Sequence, residues 1–319
     1  MKNKIDWSTY KFRSSQVHKL LTGTIVNDAE LDVKINELVN KRDVLVHENK
    51  RLKWTDTNIS DLAKLIEKKN LPVFSRLPKT MISELRKIHR AETFGRNFSF
   101  TNKYVQKGIE QEEAAITLYQ YYRNRILKIP TFFINNKERL FNDWISGEAD
   151  LTDTNNFKEC NEGFDTKCSW ELDTFPFPED VLDPSYEIQN QCYMWLSDTE
   201  KWATASVLVN CTERLLNNEK NKWFYSMGSP MNEDDKNYSE YILKAKETEK
   251  KLIFEYDKFV SDNSGHLLET SREEWYENDY DIPLKDRVIE KHSVRNQFII
   301  EEIKERITIS RDYLSHLSK

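Results

Sequence analysis

Three short β-favouring segments interrupt an otherwise helix-patterned chain: residues 140–145, 164–167 and 204–210, the last reading Thr-Ala-Ser-Val-Leu-Val-Asn. An apolar stretch at 188–196, suited to a helix, separates the second from the third. Strands alternating with helices indicate an α/β fold, in which helices cover the faces of a central sheet.

The flanks read as helices. Ser14 or Ser15 can cap a helix through Val17, Leu20 and Leu21, after a short extended piece at 10–15. A helix over 29–53 places Leu31, Leu38, Leu45 and Leu52 at every seventh position, with Ile35 between the first two. Arg42 and Asn49 occupy intervening seam positions where a coiled coil wants apolar residues. The stripe therefore reads as a helix laid on its own domain. Further helical patterns cover 60–69, 79–90 and 107–128, the last with Ile109, Ala115, Leu118, Tyr122 and Ile126 at three- and four-residue steps. Residues 241–259 are helical within a polar, acidic stretch. Ile300, Ile303, Ile307, Leu314 and Leu317 make 294–317 a docked amphipathic helix. The chain reads as one domain over 1–319, with a helical insertion at 28–75, a helical and acidic elaboration at 217–283, and the closing helix at 294–317.

Composition narrows the class. With 319 residues the chain can bury a sizeable core, and only 7 Gly and 8 Pro argue against a long disordered tail. No run of eighteen apolar residues occurs, and the first residues lack a signal peptide's apolar core, so a cytoplasmic protein without membrane partners is expected. Four scattered cysteines, with no Cys-x-x-Cys pair, read as ordinary thiols rather than a disulfide scaffold. The net charge of −6 counts mildly against nucleic-acid binding. The charge is unevenly spread, however. Six carboxylates and one arginine lie between Glu269 and Asp281, whereas Lys41, Arg42, Lys50, Arg51 and Lys53, and again Arg123, Arg125 and Lys128, are basic. Each basic group reads equally well as a solvated helix face.

The chemistry concentrates around the second strand. Asp165 and Lys167 stand two apart on a strand and so share a face, and Asp150 can reach them from the neighbouring strand. Two carboxylates and an ammonium at one point suit metal-assisted phosphodiester hydrolysis: the acids hold a hard divalent cation, and the lysine positions the nucleophile or offsets developing charge. Alone, Asp-x-Lys is common, and a salt-bridged surface strand explains it as readily. Two neighbours add to it. The segment Gly108-Ile109-Glu110-Gln111-Glu112-Glu113 opens the helix before the strands, and Glu112 is the preferred candidate to reach a metal from it; an acid-rich first turn facing the helix dipole is the competing account of Glu110. Downstream, Gln189 and Tyr193 lie one helical turn apart, able to hydrogen-bond a phosphate or the attacking water. Trp195 reads as a core aromatic.

The ordered series Gly108-x-x-x-Glu112, Asp150, Asp165-x-Lys167 and Gln189-x-x-x-Tyr193 resembles the PD-(D/E)XK nuclease superfamily, and within it the phage recombination exonucleases of the lambda-exonuclease or YqaJ type. The resemblance spans about residues 10–210. It implies a restriction-endonuclease-like core, a central mixed β-sheet flanked by helices. It also implies metal ligation by Glu112, Asp150, Asp165 and the main-chain carbonyl of Thr166, catalysis by Lys167, and a supporting role for Gln189. The cofactor implied is Mg²⁺, as two ions, with Mn²⁺ able to substitute. Ser15-Gln16-Val17-His18 looks like the first helix of these exonucleases, which implies 5′-phosphate binding by Ser15, with Arg13 and His18 nearby; His18 reads equally as a packed helix histidine. The implied activity is 5′→3′ digestion of double-strand DNA ends for recombination, with an endonuclease or repair nuclease and an inactive DNA-end-binding or protein-interaction module as the alternatives. A single-strand annealing protein is the implied partner, and ring-forming relatives imply a homo-oligomer such as a trimer. The chain departs from the commoner pattern in having Asp165 for Glu, which shortens the reach by one methylene.

Overall fold

The computed structural model describes residues 5–47, 56–96, 102–129, 132–134, 138–263 and 268–318. Its strands, in chain order, are β1 (Phe12–Arg13), β2 (Phe133–Ile134), β3 (Arg139–Phe141), β4 (Ile145–Glu148), β5 (Leu151–Thr152), β6 (Glu162–Cys168), β7 (Lys201–Val207) and β8 (Val288–Val294). Its α-helices are α1 (Ser14–Val17), α2 (Asp28–His47), α3 (Asp56–Asn70), α4 (Lys79–Phe94), α5 (Lys103–Tyr122), α6 (Pro184–Ser197), α7 (Glu213–Ser226), α8 (Tyr238–Leu252), α9 (Tyr256–Asp262), α10 (Arg272–Glu277) and α11 (Gln297–Leu317). They fall into two units: Met1–Phe98 with Phe141–Ser146 and Asn296–Lys319, and Ser99–Leu140 with Gly147–Arg295. Among the described residues no helix is long and apolar enough to cross a membrane.

In the first unit β1 runs parallel to the start of β4, with Phe12 opposite Ile145 and Arg13 opposite Ser146. Phe12, Val17, Met81 and Leu85 are fully buried. The stripe on α11 behaves as its period predicts: Ile300, Ile303, Ile307 and Leu314 are all buried. Arg311 on that helix donates to the Tyr10 carbonyl at 2.9 and 3.0 Å, and the Trp7 indole N–H donates to Ser318 Oγ at 2.7 Å, tying the first residues to the last helix. Buried Arg76 gathers the carbonyls of Lys68, Lys69 and Leu71, which fixes the end of α3. On α2, Leu31 is buried and Ile35 and Leu38 are half-buried. The side chains of Leu45, Asn49 and Leu52, and the basic Lys50, Arg51 and Lys53, lie outside the described residues.

The second unit is built on one sheet in the order β2-β5-β6-β7-β8. The β6–β7 pair is parallel and the other three are antiparallel, so the sheet is mixed. The sequence pattern implies an α/β fold with helices covering a central sheet, and the resemblance implies that the sheet is mixed; both hold. Alternation along β6 sends Phe164 into a core with Ala115, Ile116 and Tyr119 of α5. The opposite face meets α6, whose Tyr193 and Met194 pack with Trp202 of β7. Residues 213–280 carry a separate core of Leu215, Leu216, Leu252, Phe259 and Trp275. Within it Lys220 pairs with wholly buried Glu249, whose carboxylate also accepts from the Glu269 and Thr270 amides at 2.8 and 2.9 Å. A buried ion pair needs such extra hydrogen bonds to offset its desolvation.

Local chemistry explains where elements differ from the sequence pattern. The strand expected at 140–145 is two strands, because the Asn142 side chain accepts from the Trp144 and Ile145 amides at 2.8 and 2.9 Å and turns the chain between them. The helix expected at 241–259 is likewise α8 and α9. Asn210 takes the Phe254 and Glu255 amides at 2.7 and 3.1 Å, which holds that junction extended. The helix expected at 107–128 begins earlier, where Asn102 caps α5, and ends in a π-turn at Arg123–Leu127. The basic group there is not a solvated face throughout: Arg123 is buried and pairs with Glu290 of β8 at 3.1 Å. All four cysteines are free thiols.

Candidate active site

Asp150 lies in the link between β4 and β5, immediately before Leu151. Leu151 pairs with Phe164, so the antiparallel register carried one residue further brings Asp150 beside Asp165. Asp150 Oδ2 accepts from the Thr166 amide at 2.7 Å and from the Thr166 hydroxyl at 2.9 Å. Lys167, on the same face of β6 as Asp165, forms an ion pair with Asp165 Oδ2. Asp165 is only 3% exposed, so its charge depends on these neighbours.

Helix α6 completes the group. Asp183 caps its first turn by accepting from the Ser185 amide at 2.7 Å, and Pro184 stands at its first position. One turn of helix aims Gln189 and Tyr193 at Asp165. The Gln189 amide donates to the Tyr193 hydroxyl at 2.9 Å, and both side chains reach Asp165 Oδ1 at 3.5 Å. The sequence suggests a phosphate or the attacking water as their partner; in this structure the pair reaches the Asp165 carboxylate.

The electrostatics of the site are set by burial. Burial, followed by the Asp165 charge, raises Asp150 from 3.8 to about 7, against the opposing pull of Lys167 and the Thr166 hydrogen bonds. For Lys167 burial alone would favour the neutral amine, but Asp165 and Asp150 outweigh it and raise its pKa. Burial and the two carboxylates also keep the Tyr193 phenol protonated, raising its pKa well above the usual value. When Asp150 is ionised, two carboxylates share one ammonium, and the site is then one positive charge short.

That deficit, with an all-oxygen donor set, fits Mg²⁺, which binds through one or two carboxylates and keeps several waters. Asp150, Asp165 and the Thr166 carbonyl are the groups that would hold it. Among the described residues no three Asp, Glu, His or Cys side chains cluster as a metal-binding set. Glu112 is half-buried on α5, where the helix meets the end of β6: Cys168 Sγ reaches the Gln111 carbonyl at 3.6 Å, and the Glu112 charge adds to burial in raising the Cys168 thiol. Glu110 is occupied elsewhere, accepting from the Thr212 hydroxyl at 2.7 Å and pairing with Arg214.

Arg13, Ser15 and His18 belong to the first unit. Arg13 and Ser15 are exposed and His18 is half-buried, while the adjacent Ser14 is buried and donates to the Ser146 carbonyl at 3.0 Å. One neighbour of Lys167 was not singled out from the sequence. The ammonium lies 5.2 Å from the ring centre of Tyr186, which precedes Gln189 by three residues on α6. Three residues from Tyr186 to Gln189 and four from Gln189 to Tyr193 put all three on one helix face, which is the signal that marks it.

No protein-family model matches the chain, and no curated protein is significantly similar to it. Among solved structures the chain is similar to a phage-related exonuclease from Haemophilus somnus 129PT. That likeness has 23% sequence identity and a TM-score of 0.54, and covers 97% of this chain and 95% of that one. An alkaline exonuclease from Laribacter hongkongensis also matches, 10% identical with a TM-score of 0.44 over 98% of this chain and 93% of that one. Over nearly its whole length, then, the chain has the mixed-sheet α/β fold of the phage-related exonuclease.

Proposed function

We propose that the protein is a Mg²⁺-dependent deoxyribonuclease that digests double-strand DNA ends in the 5′→3′ direction. The observation that carries this reading is the meeting of Asp150, Asp165 and Lys167 in a buried, charge-deficient site, on a fold shared with a phage-related exonuclease. A divalent ion bound there would polarise the scissile phosphate and lower the pKa of its water. The chain's own groups have separate tasks. Lys167 orients the nucleophile and balances charge that develops on the phosphate. Thr166 holds Asp150, and Gln189 with Tyr193 holds Asp165, so both carboxylates are placed before metal arrives. Glu112 is the proposed third acid, supplied from α5. Exposed Ser15 and Arg13, with His18, are the proposed 5′-phosphate contacts. The product would be a single strand for an annealing protein, and a homo-oligomer is the proposed working form.

A mixture of linear duplex and covalently closed circle tests the exonuclease assignment. With Mg²⁺ the linear DNA should be consumed and the circle left intact. Nicking or linearisation of the circle would assign an endonuclease instead.

A further inference from the structure

Trp202 has no part in the chemistry above, yet it is the largest wholly buried side chain beside the site. It is paired in register with Gly163 across the parallel β6–β7 ladder, and its indole lies over that glycine. A Cβ at Gly163 would stand 2.1 Å from the indole Cη2 and 2.4 Å from Cζ2 and Cζ3, so only glycine leaves room for the ring. The indole also stacks on Tyr193, with ring centres 5.2 Å apart and planes at 30°. Phe157 closes the cluster at 5.7 Å from the indole. The indole N–H is buried without a hydrogen-bond partner, so polar bonding does not explain a tryptophan here. Its shape does: a flat ring packs closely on both the Gly163 backbone and the Tyr193 phenol. Gly163 is two residues from Asp165 on the same face of β6, and the Tyr193 hydroxyl reaches Asp165 Oδ1.

We propose that Trp202, seated in the space that Gly163 leaves open, is a positioning residue that sets the Tyr193 hydroxyl against Asp165 and Gln189. The proposal deepens the nuclease reading and rests on it for its activity measurement. Stacking restricts the phenol ring, and a fixed hydroxyl fixes the orientation of the carboxylate that would face the metal. Trp202 acts only through Tyr193, so the two residues should not contribute independently.

A double-mutant cycle on the full chain tests this, reading kcat on linear duplex with Mg²⁺ and, separately, Mn²⁺ affinity by calorimetry. Trp202→Leu should lower both by about 10-fold, in the range found for residues that support metal ligands. In a Tyr193→Phe background the same change should cost less than about twofold more, because the hydroxyl it positions is already gone. Trp202→Phe, which keeps a ring and removes the unpaired N–H, should stay near wild type. Gly163→Ala should reproduce the Trp202→Leu loss by displacing the indole. Equal losses from Trp202→Leu in both backgrounds would overturn the proposal, as would wild-type values for Trp202→Leu where Tyr193→Phe is impaired. If Trp202→Leu fails to fold by circular dichroism, Gly163→Ala with and without Tyr193→Phe supplies the same comparison. If no variant, nor the wild type, degrades DNA, the nuclease reading fails, and the Mn²⁺ cycle still decides the positioning role.

Discussion

Replacing Lys167 with alanine should lower kcat on linear duplex DNA by roughly 10²–10³-fold, the usual cost of deleting one preorganised group that meets transition-state charge. Asp165→Ala should cost at least as much, because it removes a carboxylate that would face the metal and also the partner of Lys167. The two variants separate by metal affinity. Asp165→Ala loses Mn²⁺ binding. Lys167→Ala keeps it or binds tighter, since the competing ammonium is gone while both carboxylates remain. Single-turnover digestion with a parallel Mn²⁺ titration makes the distinction. Equal activity in wild type and Lys167→Ala would remove the lysine from the chemistry.

The second large effect is on stability, and it comes from Asp150. Its pKa is 3.8 in the ordinary case and about 7 in the fold, raised first by burial and then by Asp165. Between those values the folded state holds a proton that the unfolded chain releases, so stability falls as pH rises through that window. Below about 3.8 both states are protonated and the site costs nothing. Above about 7 the full cost applies, and a bound divalent ion would offset it. The metal-free protein should therefore lose stability between pH 5 and pH 8, a loss that Mg²⁺ reverses by binding the folded state alone. Asp150→Asn keeps an oxygen for the Thr166 amide and hydroxyl but removes the buried charge. At pH 8 without metal it should be more stable than wild type by roughly 2–4 kcal/mol, the free energy that corresponds to raising the Asp150 pKa from 3.8 to about 7. It should show no such loss over the window, gain nothing from Mg²⁺, and be inactive. Thermal melts at the two pH values, with and without Mg²⁺, check this. A Mg²⁺-insensitive melting temperature in the wild type would count against the metal site.

What could be read from the sequence follows from the range of the interactions involved. Helix α6 and strand β6 declare themselves through periodicity, and Asp165, Lys167, Gln189 and Tyr193 are fixed relative to one another by two- and four-residue steps. Asp150 is further away along the chain, yet it is legible because the antiparallel neighbour of β6 brings it beside Asp165. Strand β8 was not legible. Its Glu290, Lys291 and Ser293 look like loop residues, but each is satisfied by a distant partner: Arg123 for Glu290, the Phe177 carbonyl for Lys291 at 2.9 Å, and Glu187 for Ser293 at 2.5 Å. The two-residue strands β2 and β5 are too short to carry a period. Trp202 was invisible for a related reason. Its relation to Gly163 is lateral, set by strand register, and no spacing along one segment encodes register with another.

The most direct test of the central claim is digestion of a linear duplex labelled at either the 5′ or the 3′ end, with Mg²⁺ and with a chelator. Prompt release of the 5′ label as mononucleotide, late release of the 3′ label, and no release in chelator are the predicted results. Intact DNA of every form in Mg²⁺ and in Mn²⁺, from folded wild-type protein, would contradict the assignment.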